Sequence, residues 1–303
     1  MHATIPYPKV LFLGCHAMSA DLTALINTEL VIRPLSPTFA AEVIGLDLCR
    51  PLDATMRQTI LDAFVRYQVL AFRDQSLSGE QQMEFSEQFG TLERHTIRNR
   101  GVTHPLLNVV TNLGPDGKPS GRLANQLWHS DKSFRPEPSM ATILHAVIMP
   151  PLGGDTCFAD MYASYETLAD GEKAELEKIR VIHSWELSLA KSGRQATAEE
   201  IADAPPMSHP LVRVHPDSGR KCLFMGEHAS HFEGQPMDIG RARLVALEAH
   251  ATQEKFVYRH TWRAGDLLMW DNRCLLHRVD RNFDPSAHVR VLHRTCLRGT
   301  MPL

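Results

Sequence analysis

Several things are scarce in this chain, and each scarcity removes a class of explanation. No apolar run approaches the roughly 18 residues that a membrane-spanning helix needs. Val10-Leu-Phe-Leu-Gly-Cys15 has a superficial look of a lipoprotein signal, but its apolar stretch falls below the ~7 residues of a signal core. Net charge is also small: 32 Lys and Arg against 35 Asp and Glu leave a formal −3. That balance argues against nucleic acid or an anionic membrane as partner, while leaving room for one basic cleft. The six cysteines stand at 15, 49, 157, 222, 274 and 296, with no C-x-x-C pair. Neither a zinc ribbon nor a small disulfide framework fits; reduced thiols in a cytoplasmic protein do. There is no Gly-rich phosphate loop, no dinucleotide fingerprint and no G-x-S-x-G elbow. Internal repeats and low-complexity tracts are missing as well.

What is present is an ordinary globular composition, 43% apolar and 22% charged over 303 residues. Residues 1–30 lack a sustained period and read as an N-terminal extension, leaving 31–303 as one domain. Ala41–Leu48 alternates like a strand. Asp53 is a candidate N-cap for a helix through Tyr67, with Met56, Ile60, Phe64 and Tyr67 on one stripe. Val69–Arg73 reads as a short buried strand. Ser78-Gly-Glu-Gln81 has capping-box spacing, and Gly90 is expected to end the helix that follows. The polar stretch 91–123 reads as a loop or lid, and 186–209 as loop. Ala141–Met149 is a continuous apolar strand, Thr156–Ala159 is extended, and Tyr162–Ile179 is helical. Leu211–Met225 has a hairpin signature around Pro216-Asp-Ser-Gly219. A helix over Ile239–Thr252 and strands at Phe256–Trp262, Leu267–Trp270 and His288–Leu297 complete the chain. Short strands with inserted helices predict a mainly β protein built on a double-stranded β-helix, or jelly roll.

Chemistry concentrates at Asn125-Gln-Leu-Trp-His-Ser-Asp131. On an extended backbone His129 and Asp131 leave the same face and Ser130 the other. Trp270-Asp-Asn-Arg-Cys-Leu-Leu-His277 offers a third metal ligand. Two histidines and a carboxylate on one triangular face leave three positions open, the pattern of non-haem Fe(II) oxygenases. By itself H-x-D arises by chance among 16 histidines and 35 acids, and it equally describes two satisfied polar residues near a strand end. A second match, His215-Pro-Asp217, falls in the tight turn, where Asp usually bonds nearby backbone; it reads as structural. Arg290 and Arg294 are four apart, so on a strand they share a face. Two buried guanidiniums need anions, which carboxylate-bearing ligands would supply bidentately; exterior Asp or Glu partners are the plainer alternative. Thr156 offers a further hydroxyl to such a carboxylate.

Trp128-His-Ser-Asp131, Pro150-Pro-x-Gly-Gly-Asp-Thr156, Phe158-x-Asp-Met161, Trp270–His277 and Arg290-x-x-x-Arg294-Thr295 together resemble the TauD/TfdA family of Fe(II)- and 2-oxoglutarate-dependent dioxygenases. Ala124–Asp131, Gly219-Arg-Lys221, His228-Ala-Ser-His231, His250-Ala-Thr-Gln253 and Phe256–His260 bring the likeness nearest to the members that oxidise 2,4-dichlorophenoxyacetate. The likeness covers about 31–298. It implies that His129, Asp131 and His277 bind Fe(II), and that Thr156 and Arg290 hold the distal carboxylate of 2-oxoglutarate. It also implies that Arg294 faces the substrate's anionic group. His95, a position that the aryloxyacetate-oxidising members do not keep as histidine, and Asn125 are further substrate contacts on this likeness. The interval from His277 to Arg290 is longer by two residues than in the nearest members, an insertion assigned to Val279–Ser286. The implied reaction consumes O2 and 2-oxoglutarate, is stimulated by ascorbate, and splits an aryloxyalkanoate to a phenol and glyoxylate with succinate and CO2. A taurine-like sulfonate or an alkylsulfate is the alternative substrate, since arginine accepts either anion. Outside this class stand a zinc hydrolase and a metal- and carboxylate-binding barrel without turnover. Family members often oligomerise, so a homo-oligomer is also expected.

Overall fold

The computed structural model describes residues 30–94, 104–191 and 193–303. In chain order these form β1 (Val31–Pro34), β2 (Ala41–Ile44), α1 (Ala54–Tyr67), β3 (Val69–Phe72), α2 (Gly79–Glu87), β4 (Asn108–Thr111), β5 (Ala141–Ile148) and β6 (Thr156–Asp160). Next come α3 (Met161–Glu166), α4 (Asp170–Leu176), β7 (Arg180–His183), α5 (Trp185–Lys191), α6 (Ala198–Asp203) and β8 (Met207–Pro210). The rest are β9 (Val212–Val214), β10 (Lys221–Leu223), β11 (Ala229–Phe232), α7 (Met237–Ala251), β12 (Val257–His260), β13 (Leu267–Asp271), β14 (Leu275–Val279) and β15 (Val291–Leu297).

The largest sheet runs β1-β2-β3-β13-β5-β15-β4. Its central strands are buried on both faces, which is why they read as unbroken apolar runs. Alternation decides which side chain goes where. Leu70 and Phe72, Ile143, and Leu267 and Met269 pack outward with Ile60 and Phe64 of α1 and Phe85 of α2. Val69 and Ala71, Leu144 and Ala146, and Leu268 and Trp270 pack inward with Phe158 and Leu276. The inward face meets a three-stranded sheet, β12-β6-β14. Phe158 on β6 and Trp270 on β13 touch edge to face across the gap, ring centroids 5.5 Å apart. This is the expected jelly roll, with helices decorating its outside.

Local signals translate as their chemistry requires. Asp53 accepts from the Met56 amide, and Ser78 with Gln81 forms both halves of a capping box. The hairpin appears as β9 against β10, turned at Gly219 with φ +69°. Four expectations change. The second helix ends at Glu87, short of Gly90, which keeps a negative φ and packs against Met140 and Leu297. The helix expected over Tyr162–Ile179 is two short ones, α3 and α4, interrupted at 167–169. The polar segment 186–209 carries α5, α6 and most of β8, because a capping box at Thr197 and Glu200 nucleates α6 without an apolar stripe. Within 91–123, Asn108–Thr111 pairs with β15 as an edge strand. Residues 1–29 and His95 lie outside the described residues.

Removing the Ser78 hydroxyl leaves a helix-end amide unsatisfied. Ser78→Ala is expected to lower stability by about 1 kcal/mol, read as a shift in the urea midpoint; an unchanged midpoint would show the box to be energetically idle.

Candidate metal centre

His277 sits in the middle of β14, whose outer edge carries one more backbone pair. His129 N donates to His277 O at 3.0 Å, and His277 N donates to His129 O at 2.8 Å. Such a reciprocal pair places the two residues opposite each other, and their rings lie with centroids 4.1 Å apart. Asp131, two residues on, lies near both: its Oδ1 is 3.8 Å from His129 Nε2 and its Oδ2 is 3.8 Å from His277 Nε2. All three side chains are buried, and their candidate ligand atoms lie within 4.8 Å of one another. Ser130 points the other way and donates to the Asn272 carbonyl at 2.7 Å.

The protonation states suit a cation. His129 Nδ1 lies 2.9 Å from the Leu127 carbonyl oxygen. That oxygen only accepts, so Nδ1 carries a proton, and in the neutral ring Nε2 is the nitrogen with a lone pair for the centre. Burial first, and then His129, hold His277 well below the usual imidazole range, so it is neutral. Burial alone would raise the Asp131 carboxyl, but Arg294, His277, His129 and the Thr142 hydroxyl outweigh it and keep the group ionised. Two imidazoles and one carboxylate form a donor set for a divalent metal with open positions.

The arginines separate in the structure. Arg290 immediately precedes β15, and Val147 is the extra residue of a bulge opposite it, since Val291 faces Ile148 and Leu292 faces Ala146. Arg294 Nη1 reaches to 3.6 Å from Asp131 Oδ1. Arg290 Nε donates to the Gly154 carbonyl at 3.2 Å, while its Nη2 is buried with no partner among the described residues. Burial pushes this guanidinium down to about 10, with the Asp155 carboxylate only partly offsetting it. Thr156 is buried on β6, and its hydroxyl oxygen accepts from Trp262 Nε1 at 2.9 Å, leaving its own proton available. The segment between β14 and β15 is bolted down by two asparagines. Asn282 accepts from the Gly154 amide and donates to Asp155. Asn112 donates to the Pro285 and His288 carbonyls and accepts from the Arg290 amide.

Beside the trio opens a cavity of about 460 Å³ whose lining includes Asn125, His129, Asp131, Phe134, Trp185 and Arg294. Thr156 and Arg290 are not part of that lining. Phe134 and Trp185 rings stand 4.7 Å apart and form an aromatic wall with His228, which burial and then His129 push down to about 3, so it is neutral. Lys132, at φ +54°, also lines the cavity and pairs with Glu93.

The decoy resolves as structural. His215 Nδ1 accepts from the Asp217 and Ser218 amides, so Nε2 carries the proton and donates to Asp271 at 3.0 Å. Both Asp271 oxygens are also forked by Arg273. The trio His215, Asp271 and Cys274 is compact, but its imidazole has no lone pair to spare.

The aromatic wall, Thr142, Asn272 and Gly226 were not singled out from sequence. A lone glycine after Met225 gives little signal, yet Gly226 holds φ +112°, and a Cβ there would come within 2.9 Å of the Trp128 carbonyl oxygen and 3.2 Å of His129 Cα.

A jelly roll carrying two buried histidines and an aspartate beside an open cavity defines a metal-dependent oxygenase class. The chain matches the family model described as "Taurine catabolism dioxygenase TauD, TfdA family" over residues 31–296. It is 43% identical over 282 residues to the alpha-ketoglutarate-dependent 2,4-dichlorophenoxyacetate dioxygenase of Cupriavidus pinatubonensis, covering 89% of this chain and 98% of that one. To the alpha-ketoglutarate-dependent sulfate ester dioxygenase of Pseudomonas putida it is 30% identical, covering 94% and 95%. The crystal structure of AAD-2 in complex with Mn(II) and N-oxalylglycine superposes with a TM-score of 0.79 at 40% identity, over 90% of this chain and 98% of that one. The chain belongs to the TauD/TfdA dioxygenase family.

Gly226→Ala should cost ~1–3 kcal/mol through its left-handed backbone and the contact with the His129 strand, measured by urea denaturation. A wild-type midpoint would show that the strand yields freely there.

Proposed function

We propose that this chain is an Fe(II)- and 2-oxoglutarate-dependent dioxygenase that hydroxylates a small organic anion, with an aryloxyalkanoate as first substrate. The observation that carries it is the compact trio His129, Asp131 and His277 within the same fold as a buried, anion-seeking Arg290. In this reading the trio holds Fe(II), with Nε2 of each histidine and the Asp131 carboxylate as donors. Arg290 and the Thr156 hydroxyl take the distal carboxylate of 2-oxoglutarate, which would give the unpartnered Arg290 Nη2 an acceptor. Fe(II) with 2-oxoglutarate and O2, when bound, supplies oxidative decarboxylation to succinate and CO2 coupled to hydroxylation of a C–H bond.

The protein's own part is placement. Arg294 meets the substrate's anionic group at the cavity wall next to Asp131, and Phe134 with Trp185 offers an aromatic ring a flat, water-excluding surface. Asn125, at φ +60° on the cavity rim, is a further contact; His95 stays in the proposal as a contact on family likeness alone. For an aryloxyacetate, hydroxylation next to the ether oxygen gives a hemiacetal that falls apart to a phenol and glyoxylate. The sulfate ester dioxygenase relative favours a second reading, an alkylsulfate or sulfonate substrate on the same arginine.

Residues 31–303 form one catalytic domain in this proposal, preceded by an extension over 1–30. A cytoplasmic enzyme is consistent with the free cysteines at 49, 157, 222, 274 and 296. No helix of the described residues is long and apolar enough to cross a membrane. The small net charge of −3 supports a small-molecule partner over nucleic acid or an anionic membrane. A homo-oligomer is kept in the proposal on family grounds.

Purified protein with Fe(II), ascorbate and O2 should form succinate from 2-oxoglutarate faster with 2,4-dichlorophenoxyacetate or a phenoxypropionate, releasing phenol. Stimulation only by taurine or an alkylsulfate would replace the substrate and keep the chemistry, whereas no stimulation by either group would contradict the proposal. Arg294→Ala should raise KM for the aryloxy acid by roughly 10–100-fold, the worth of a charged hydrogen bond, with KM for 2-oxoglutarate little changed; equal effects on both would remove the role given to Arg294.

A further inference from the structure

Thr142 is out of place on composition. It lies on β5, Ala141–Ile148, in a run that is otherwise nearly all apolar, and it is fully buried. A buried hydroxyl persists at such a position only if it is bonded. Its oxygen lies 2.6 Å from Asp131 Oδ2, and Asn272 Nδ2 lies 2.9 Å from it. Asn272 Oδ1 is in turn 3.1 Å from Trp270 Nε1 and 3.4 Å from the Asp131 amide nitrogen.

The direction of every proton in this chain is forced. An indole N–H and a backbone N–H can only donate, so the oxygen of the Asn272 amide faces them. Its NH2 then faces Thr142 and donates to the hydroxyl oxygen. Two partners then remain for the hydroxyl, Cys296 Sγ at 3.7 Å and Asp131 Oδ2 at 2.6 Å, and the nearer, charged carboxylate takes the proton. Trp270 and Asn272 belong to the same segment that leads into His277, so a line of hydrogen bonds ties one candidate ligand to the approach of another. Asp131 Oδ2, 3.8 Å from His277 Nε2, is thereby committed to a short hydrogen bond, while Oδ1, 3.8 Å from His129 Nε2, has only the longer 3.6 Å approach of Arg294 Nη1.

We infer that Trp270, Asn272 and Thr142 are positioning residues of the metal centre, whose relay holds Oδ2 so that Asp131 offers one oxygen to the metal and the remaining positions stay open. The inference rests on the proposed metal centre. Loss of a partner that orients a metal-binding carboxylate typically weakens affinity ~10–100-fold.

The test is titration of Co(II) into metal-free wild type, Thr142→Val, Thr142→Ala, Thr142→Ser and His129→Ala, following binding by calorimetry and the ligand-field spectrum. The inference predicts a ~10–100-fold weaker Kd and an altered spectrum for Thr142→Val, with Thr142→Ser restoring both. If the valine variant does not fold, Thr142→Ala decides in the same way. Wild-type affinity and spectrum in the hydroxyl-less variant would overturn the relay while leaving the metal centre intact, as shown by loss of binding in His129→Ala. A wild type that binds no Co(II) would overturn the metal centre itself and the relay with it.

Discussion

Two backbone hydrogen bonds between His129 and His277 are the constraint on which the rest of the centre depends. They join the middle of β14 to a segment 148 residues earlier in the chain. Once the pair is closed, β periodicity places Asp131 on the same side as His129 without further instruction. Side chains then need only small adjustments, and the surrounding polar groups make them. Leu127 turns the His129 ring, Phe158 and Trp270 pack against His277, and Gly226 permits the loop between β10 and β11 to approach the His129 backbone.

Around this pair the fold sorts charge by what can be neutralised from within. Asp131 has Arg294 nearby and remains ionised; Asp271 has Arg273 and His215 and is likewise satisfied. Arg290 has a backbone carbonyl and an unpartnered Nη2. A buried cation left in that condition is costly unless a ligand completes it, so the electrostatic imbalance points to a carboxylate-bearing co-substrate more directly than composition could. Arg294 borders the cavity and Arg290 does not, which supports the proposal that the two arginines serve different anions.

Much of this was legible in the sequence for a physical reason. H-x-D and a distant histidine after W-D-N-R are short patterns that the fold brings together as expected, whereas Arg290 and Arg294, read as sharing one face, separate because Arg290 precedes β15. The central strands were legible because burial on both faces removes polar residues from them. The failures have reasons too. The helix at 185–191 and the strand at 108–111 rest on tertiary contacts, with little periodic signal of their own. Thr142 gives no signal of its own within an apolar strand, since its value comes from Asp131 and Asn272, which only folding brings to it. Gly90 does not take the left-handed cap conformation because the helix already ends at Glu87, with Gln88 as its C-cap.

The central claim is that the trio holds Fe(II) with positions open for 2-oxoglutarate, whose far carboxylate reaches Arg290. Anaerobic addition of Fe(II) and 2-oxoglutarate tests it most directly, because bidentate chelation of the keto acid produces a visible metal-to-ligand charge-transfer band. The account predicts the band in wild type, its absence in His277→Ala, and a higher 2-oxoglutarate requirement in Arg290→Ala. No band in folded wild-type protein, or an unchanged requirement in Arg290→Ala, would contradict it.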